Sequence, residues 1–278
     1  MTILLFSCLL FFVSILAGLL GALTGLGGGV VIIPALVIFF GINIHYAMGA
    51  ALISVIATSS GAAVAYLREG YTNLRIGMLL ETGAVVGAFF GAILVAFVSQ
   101  SIISIIFALV LFLSAYLTVR RKNSQLAELP SHPWAVRLQL AGTYPTTDGM
   151  KAYSVQHVPM AMGIMTIAGI LSGLLGIGSG ALKVLAMDQA MHLPYKVATT
   201  TSNFIIGITA SVSAGVYFAH GYIDPGITFP VVLGVAIGSM GGAKLLATIT
   251  SRSLRILFSI VICLLGVQML YKGLAGVM

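Results

Sequence analysis

Four ionisable side chains stand inside otherwise apolar runs of this chain: Glu81, Lys183, Asp188 and Lys244. A charge at membrane depth is costly and by default marks a functional position. Lys183 follows Gly178-Ser179-Gly180 by three residues, where an ammonium would face a bound anion; the alternative is a charge that snorkels or pairs with nearby Asp188. Glu81 and Asp188 are candidates for proton coupling, although Glu81 is expected to reach the interface beside Arg75, and Asp188 to sit at the cytoplasmic end of a short helix. Lys244, near the end of its span, is expected to snorkel. Thr199-Thr200-Thr201-Ser202-Asn203 supplies hydroxyls and an amide that can replace part of an oxyanion's hydration shell, and Thr58-Ser59-Ser60 is its nearest counterpart earlier in the chain. Thr58, Ser59, Thr201, Ser202 and Asn203 are therefore candidate ligands. The competing role for the hydroxyls is a bond back to a carbonyl one turn earlier.

Two glycine clusters are the other chemical feature. The first runs from Gly18 through Gly21 and Gly25 to Gly27-Gly28-Gly29; the second runs from Gly169 through Gly173 and Gly176 to Gly178-Ser179-Gly180. Glycine costs about 1 kcal/mol relative to alanine in a helix interior, so clusters this dense mark helix breaks. A break exposes amide groups and the positive end of the next helix, which together attract an anion without any side-chain charge. Gly27, Gly28, Gly29, Gly178, Ser179 and Gly180 are thus expected to face a common cavity at mid-membrane. Ser179 stands where the first cluster has Gly28, and its hydroxyl adds a donor to the second half-site.

Other chemistries find no support. The five histidines have no cysteine or carboxylate near them at ligand spacing, and no phosphate-binding Gly-x-x-x-x-Gly-Lys-Ser/Thr occurs. No metal or cofactor is expected. Cys8 and Cys263 lie in separate apolar segments and read as buried small hydrophobes.

The elements that must hold these groups follow from hydropathy. Hydrophobic residues make up 59% of the 278 and charged residues 7%, with a mean hydropathy of +1.13. An average soluble domain carries about 25% charged residues, so the chain is read as an all-α polytopic membrane protein whose surroundings are the lipid bilayer. The net charge of +7 resides mainly in short loops, as cytoplasmic loops require, and does not indicate nucleic acid. Spans are predicted at 3–23, 46–67, 76–98 and 101–119, and again at 157–175, 196–219, 226–248 and 253–272, with shorter apolar pieces at 29–41 and 180–191. Shifting the first half by 151 positions aligns it with the second without a gap: Gly25, Gly27 and Gly29 meet Gly176, Gly178 and Gly180, while Gly83, Gly87 and Gly91 meet Gly234, Gly238 and Gly242. Residues 1–122 and 157–278 are therefore two homologous halves, with about eight transmembrane helices, the first and fifth broken by glycine. If each broken segment returns to the side it entered from, Arg68, Arg75, Arg120, Arg121, Lys122, Arg137, Lys151, Lys196, Arg252 and Arg255 all fall on one side and only Lys272 on the other, which makes the halves inverted repeats. Residues 123–156 form a cytoplasmic loop. Within it, Trp134–Leu140 and Lys151–Val158 alternate with period two and suit a β-hairpin.

The paired motifs Gly25-Leu-Gly-Gly-Gly29 and Gly176-Ile-Gly-Ser-Gly180, with the basic central loop and the terminal spans, resemble the TauE/SafE sulfite exporter family, also called the 4-toluene sulfonate uptake permease family. The resemblance covers nearly the whole chain. It implies a transporter of the bacterial inner membrane whose partner is a small sulfur-containing anion, such as sulfite or an organosulfonate, with export as the expected direction. A homo-oligomer is compatible with this reading. The rival readings are a passive anion channel built from the same breaks, and an intramembrane enzyme, for which no nucleophile, metal set or carboxylate pair is evident.

Overall fold

The computed structural model describes residues 3–24, 27–68, 70–120, 132–146, 149–178, 180–248 and 251–275. In chain order the helices are α1 (Ile3–Thr24), α2 (Gly29–Phe39), α3 (Ile44–Arg68), α4 (Leu74–Leu94), α5 (Gln100–Arg120), α6 (Pro133–Arg137), α7 (Val158–Leu175), α8 (Gly180–Leu185, continued by a π-helical turn over Ala186–Ala190), α9 (Tyr195–Ala219), α10 (Pro225–Thr248) and α11 (Ser251–Ala275). Six of them, α1, α3, α4, α7, α9 and α10, are long and apolar enough to cross a membrane among the described residues. The chain is a mostly helical, multi-pass membrane protein.

Lipid offers no hydrophobic drive for helix association, so small residues that let backbones approach closely decide which helices pair. Here they pair across the halves. A Cβ on Gly87 or Gly91 of α4 would collide with the carbonyls of Thr166 and Ile170 on α7, and one on Gly238 or Gly242 of α10 would collide with those of Ile15 and Leu19 on α1. The contacts are reciprocal, since Gly169 of α7 lies on the Ala84 carbonyl and Gly18 of α1 on that of Val235. Every one of these contacts has its counterpart 151 residues away. The two central helices, α3 and α9, pack on each other in opposite directions: His45 at the start of α3 stacks near Tyr222, 4.8 Å away and just past α9, while Asn73, just past α3, donates its amide to Thr201 near the start of α9. Helices α5 and α11 are likewise opposed, with Gly273 on Ile105 and the Ser259 hydroxyl donating to the Ala115 carbonyl.

After each glycine cluster the chain turns back along the helix it came from. Phe6, early in α1, meets Phe40, just past α2, with ring centroids 5.5 Å apart. The equivalent pair at the other end is His157 and His192, 6.1 Å apart, beside a bond from the Gln156 amide to the Met191 carbonyl. Each hairpin is closed at its tip by a left-handed backbone, φ +77° at Gly27 and +71° at Gly178, which glycine adopts without steric cost.

The described part of the central segment holds a two-stranded antiparallel sheet, but both arms differ from the alternation reading: the second strand ends at Tyr153, and Val158 opens α7. The strands are β1 (Gly142–Thr146) and β2 (Gly149–Tyr153), with Gly142 opposite Tyr153. Trp134 to Arg137 belong to α6 instead, because the His132 ring accepts the Trp134 amide and Pro133 starts the helix. This segment shares a buried core with α4, α7 and the π-helical turn. Asn73 donates to the Leu140 carbonyl and the Tyr153 hydroxyl, and Arg75 donates to the carbonyl and side chain of Gln139. Burial raises the pKa of the Tyr153 hydroxyl above its ordinary value and keeps it protonated. Cys8 and Cys263, expected to be buried, are exposed on the outer face; their apolar segments face lipid there, which a thiol tolerates as readily as a core.

Gly238→Ala and Gly87→Ala should each destabilise the protein, because the added methyl meets backbone that cannot step aside; overpacking of this kind costs about 1–3 kcal/mol. Gly241→Ala, whose Cβ meets nothing within 4 Å, should leave stability unchanged or slightly raised. Thermal unfolding in detergent checks the contrast.

Candidate functional site

The two hairpin tips meet near the middle of α3 and α9. A Cβ on Gly27 would touch Ile206 and Val55 at 3.2 and 3.3 Å, and one on Gly178 would press on the same two side chains. Val55 and Ile206 correspond under the 151-residue shift, and both are fully buried. Gly29 lies against the Gly176 carbonyl, and Gly28 faces the Thr58 hydroxyl. The two breaks are therefore neighbours, and Val55 and Ile206 lie against the glycines of both.

The polar candidates divide by what they bond. Ser202 and Asn203, adjacent on α9, reach opposite hairpins: the Ser202 hydroxyl donates to the Gly180 carbonyl at 3.4 Å, and the Asn203 amide donates to the Ala22 carbonyl at 3.0 Å, in the last turn of α1. Ser59 of α3 donates to the carbonyls of Asn203 and Phe204 at 2.7 and 3.0 Å. Thr58 and Thr200 bond back to their own helices. Thr201 stands apart from the breaks, its hydroxyl accepting the Asn73 amide at the turn into α4. Tyr217, fully buried, donates to the Gly173 and Leu174 carbonyls and so satisfies the end of α7. Ser179 lies outside the described residues.

The strongest electrostatic feature lies beside the second hairpin. Lys183 Nζ meets Glu81 Oε2 at 2.9 Å, with the two side chains 0% and 3% exposed. The Thr209 hydroxyl accepts from Lys183 and donates to the other carboxylate oxygen of Glu81. This corrects two expectations. Glu81 does not reach the interface beside Arg75, whose guanidinium is engaged by Gln139; it turns inward from α4 onto α8 and α9, where only a buried cation can offset its desolvation. Lys183 forms its salt bridge with Glu81 and not with Asp188, which lies at the far end of the π-helical turn, 6% exposed. Thr209 is the participant that sequence reasoning passed over, although it is the counterpart of Thr58. The 151-residue shift carries Glu81, Lys183 and Thr209 to Val232, Ile32 and Thr58, so the equivalent junction, between α10 of the second half and α2 and α3 of the first, has no charge at these positions.

Lys183→Met should be strongly destabilising, because it leaves the Glu81 carboxylate buried and unpaired, a loss of about 3–5 kcal/mol for such pairs. Adding Glu81→Gln to that protein should restore much of the loss. A double-mutant cycle of melting temperatures measures the coupling.

A family model described as Sulfite exporter TauE/SafE matches residues 10–269. The chain is 27% identical over 269 residues to the "Probable membrane transporter protein YunE" of Bacillus subtilis, spanning 94% of this chain and 96% of that one. It is 30% identical over 237 residues to the "Probable membrane transporter protein YdhB" of the same organism, spanning 85% and 89%. A "Probable membrane transporter protein" of Xylella fastidiosa is 25% identical over 267 residues, 93% and 94% of the two chains. No solved structure matches.

Proposed function

The chain belongs to the sulfite exporter TauE/SafE family, and on that premise we propose that it is a secondary transporter of a small sulfur-containing anion, sulfite or a short organosulfonate, working by alternating access around the two glycine breaks. The observation that carries this reading is the meeting of both hairpin tips between α3 and α9, where the glycines of both tips lie against Val55 and Ile206. In the closed protein these two side chains seal the middle of the membrane. Rocking of the halves would part them on one side at a time and admit an anion to the amides of Gly27–Gly29 and Gly178–Gly180. Thr58, Ser59, Ser202 and Asn203 stand close enough to supply further donors, and Ser179 is assigned with them from its place in the motif.

Two features support an inverted pair of halves. Each broken segment ends beside its own starting point, and the corresponding helices α3 and α9 run in opposite directions. In this topology α2 and α8 are re-entrant, and the full-length helices number about eight. Arg75, Arg137, Lys151 and Lys196 gather at the end that carries the central sheet, whereas Lys272 lies at the other and donates to the Val37 carbonyl. The excess of cations at that end supports a cytoplasmic position for the sheet, in a bacterial-type inner membrane.

The test is solute counterflow in proteoliposomes. Unlabelled sulfite, thiosulfate or ethanesulfonate inside should accelerate entry of the labelled anion; entry without that acceleration would mark a passive channel. Thermal unfolding with the same anions, and with sulfate, supplies a second readout, since an anion that binds only the folded state at a hundred times its Kd stabilises by about 2.7 kcal/mol. Folded protein that shows neither effect with any of them would overturn the assignment.

A further inference from the structure

We propose that the Glu81–Lys183 pair couples transport to protons: Glu81 occupies the Lys183 ammonium while the carrier is empty, and the anion takes that place only when Glu81 accepts a proton. The inference rests on the carrier reading above.

Three observations carry it. The pair is fully buried and closed on itself, each partner also bonded to Thr209. It sits one helical turn beyond Gly180, on the element that forms the returning arm of the second hairpin. The equivalent junction, shared by the two halves in the same way, is built from Val232, Ile32 and Thr58, so helix packing here does not require charge. A buried ion pair is weak evidence for stability, which leaves its chemistry as the reason for keeping it.

The charge balance fixes the coupling. An anion admitted beside an intact pair would leave a net negative charge in a medium of low dielectric. A proton bound to a Glu81 carboxylate oxygen cancels that charge, and the resulting acid keeps its bond to Thr209 while Lys183 turns to the anion. On the opposite side the anion leaves, the proton returns to water, and the pair closes again. The other charged and titratable groups on the elements around Glu81 are engaged or distant. Arg75 of α4 points to Gln139, Lys196 of α9 lies over the Tyr71 ring, His157, just before the first turn of α7, faces His192, and Asp188 lies five residues beyond Lys183. Protons and anions are therefore carried together, one proton for each anion.

The probe is labelled ethanesulfonate, a monoanion of a strong acid whose charge does not change between roughly pH 5 and 8, unlike groups with pKa values in that interval. With the membrane potential clamped at zero, a proton gradient of one pH unit, acidic outside, should drive accumulation up to about tenfold, the ratio that equal free energies impose. Glu81→Gln should abolish accumulation and leave an anion affinity that no longer changes with pH. Glu81→Asp, which retains the carboxylate, should retain coupling, and it serves if the Gln variant does not fold. Wild-type protein that exchanges the anion by counterflow but does not accumulate it under the gradient would overturn the coupling and leave the carrier reading intact. Accumulation that persists in Glu81→Gln would overturn it as well. Absence of counterflow in folded protein would instead defeat the carrier reading itself.

Discussion

Backbone laid directly on backbone is the constraint from which the rest of the molecule follows. Helices α1 and α10 meet through glycines that each face a carbonyl of the other helix, and α4 and α7 meet in the same way. In lipid, where apolar side chains gain nothing by leaving their solvent, such close approach supplies the dispersion contacts that hold helices together. Each of these pairs takes one helix from residues 1–122 and one from residues 157–278, so the closest backbone contacts join the two parts of the chain. The exchange sets α3 against α9 and carries both glycine-broken hairpins to the same depth between them.

The hairpins then inherit a demanding environment. Their turned backbone lies where no water can serve it, so it must be buried in protein. Neighbouring side chains do this work from α9: Ser202 ties to the start of α8, Asn203 to the end of α1, and Tyr217 to the end of α7. Residues that look like a polar pocket in the sequence are thus largely engaged as fasteners. On the proposed carrier reading, a solute entering between the tips would exchange some of these bonds for its own.

Much of the architecture was legible before any coordinate. Helix positions follow from apolar run length, and the glycine triplets spaced by four residues in α4 and α10 announced close packing. What the sequence withheld has physical causes. The Glu81–Lys183 contact joins positions 102 residues apart, and no local spacing encodes it; Glu81 seemed interfacial because it lies only two turns from a helix end. Val55 and Ile206 are ordinary aliphatics in apolar helices, distinguished only by lying opposite glycine on two elements at once. The alternation from Trp134 to Leu140 was overridden by a start signal of one histidine and one proline, which cost less to satisfy locally than a longer strand.

The single charged cluster also bears on how the chain came to be one chain. Glu81 is contributed by the first half, and Lys183 and Thr209 by the second. Suppose a duplicated ancestor once worked as a dimer of identical half-length chains. A dimer of the present first half would set Glu81 against Ile32 at both junctions, and a dimer of the present second half would set Lys183 against Val232. Either assembly would bury two charges of one sign with no counterion. For such an ancestor these substitutions would make the halves electrostatic complements, each supplying the counterion that the other half lacks.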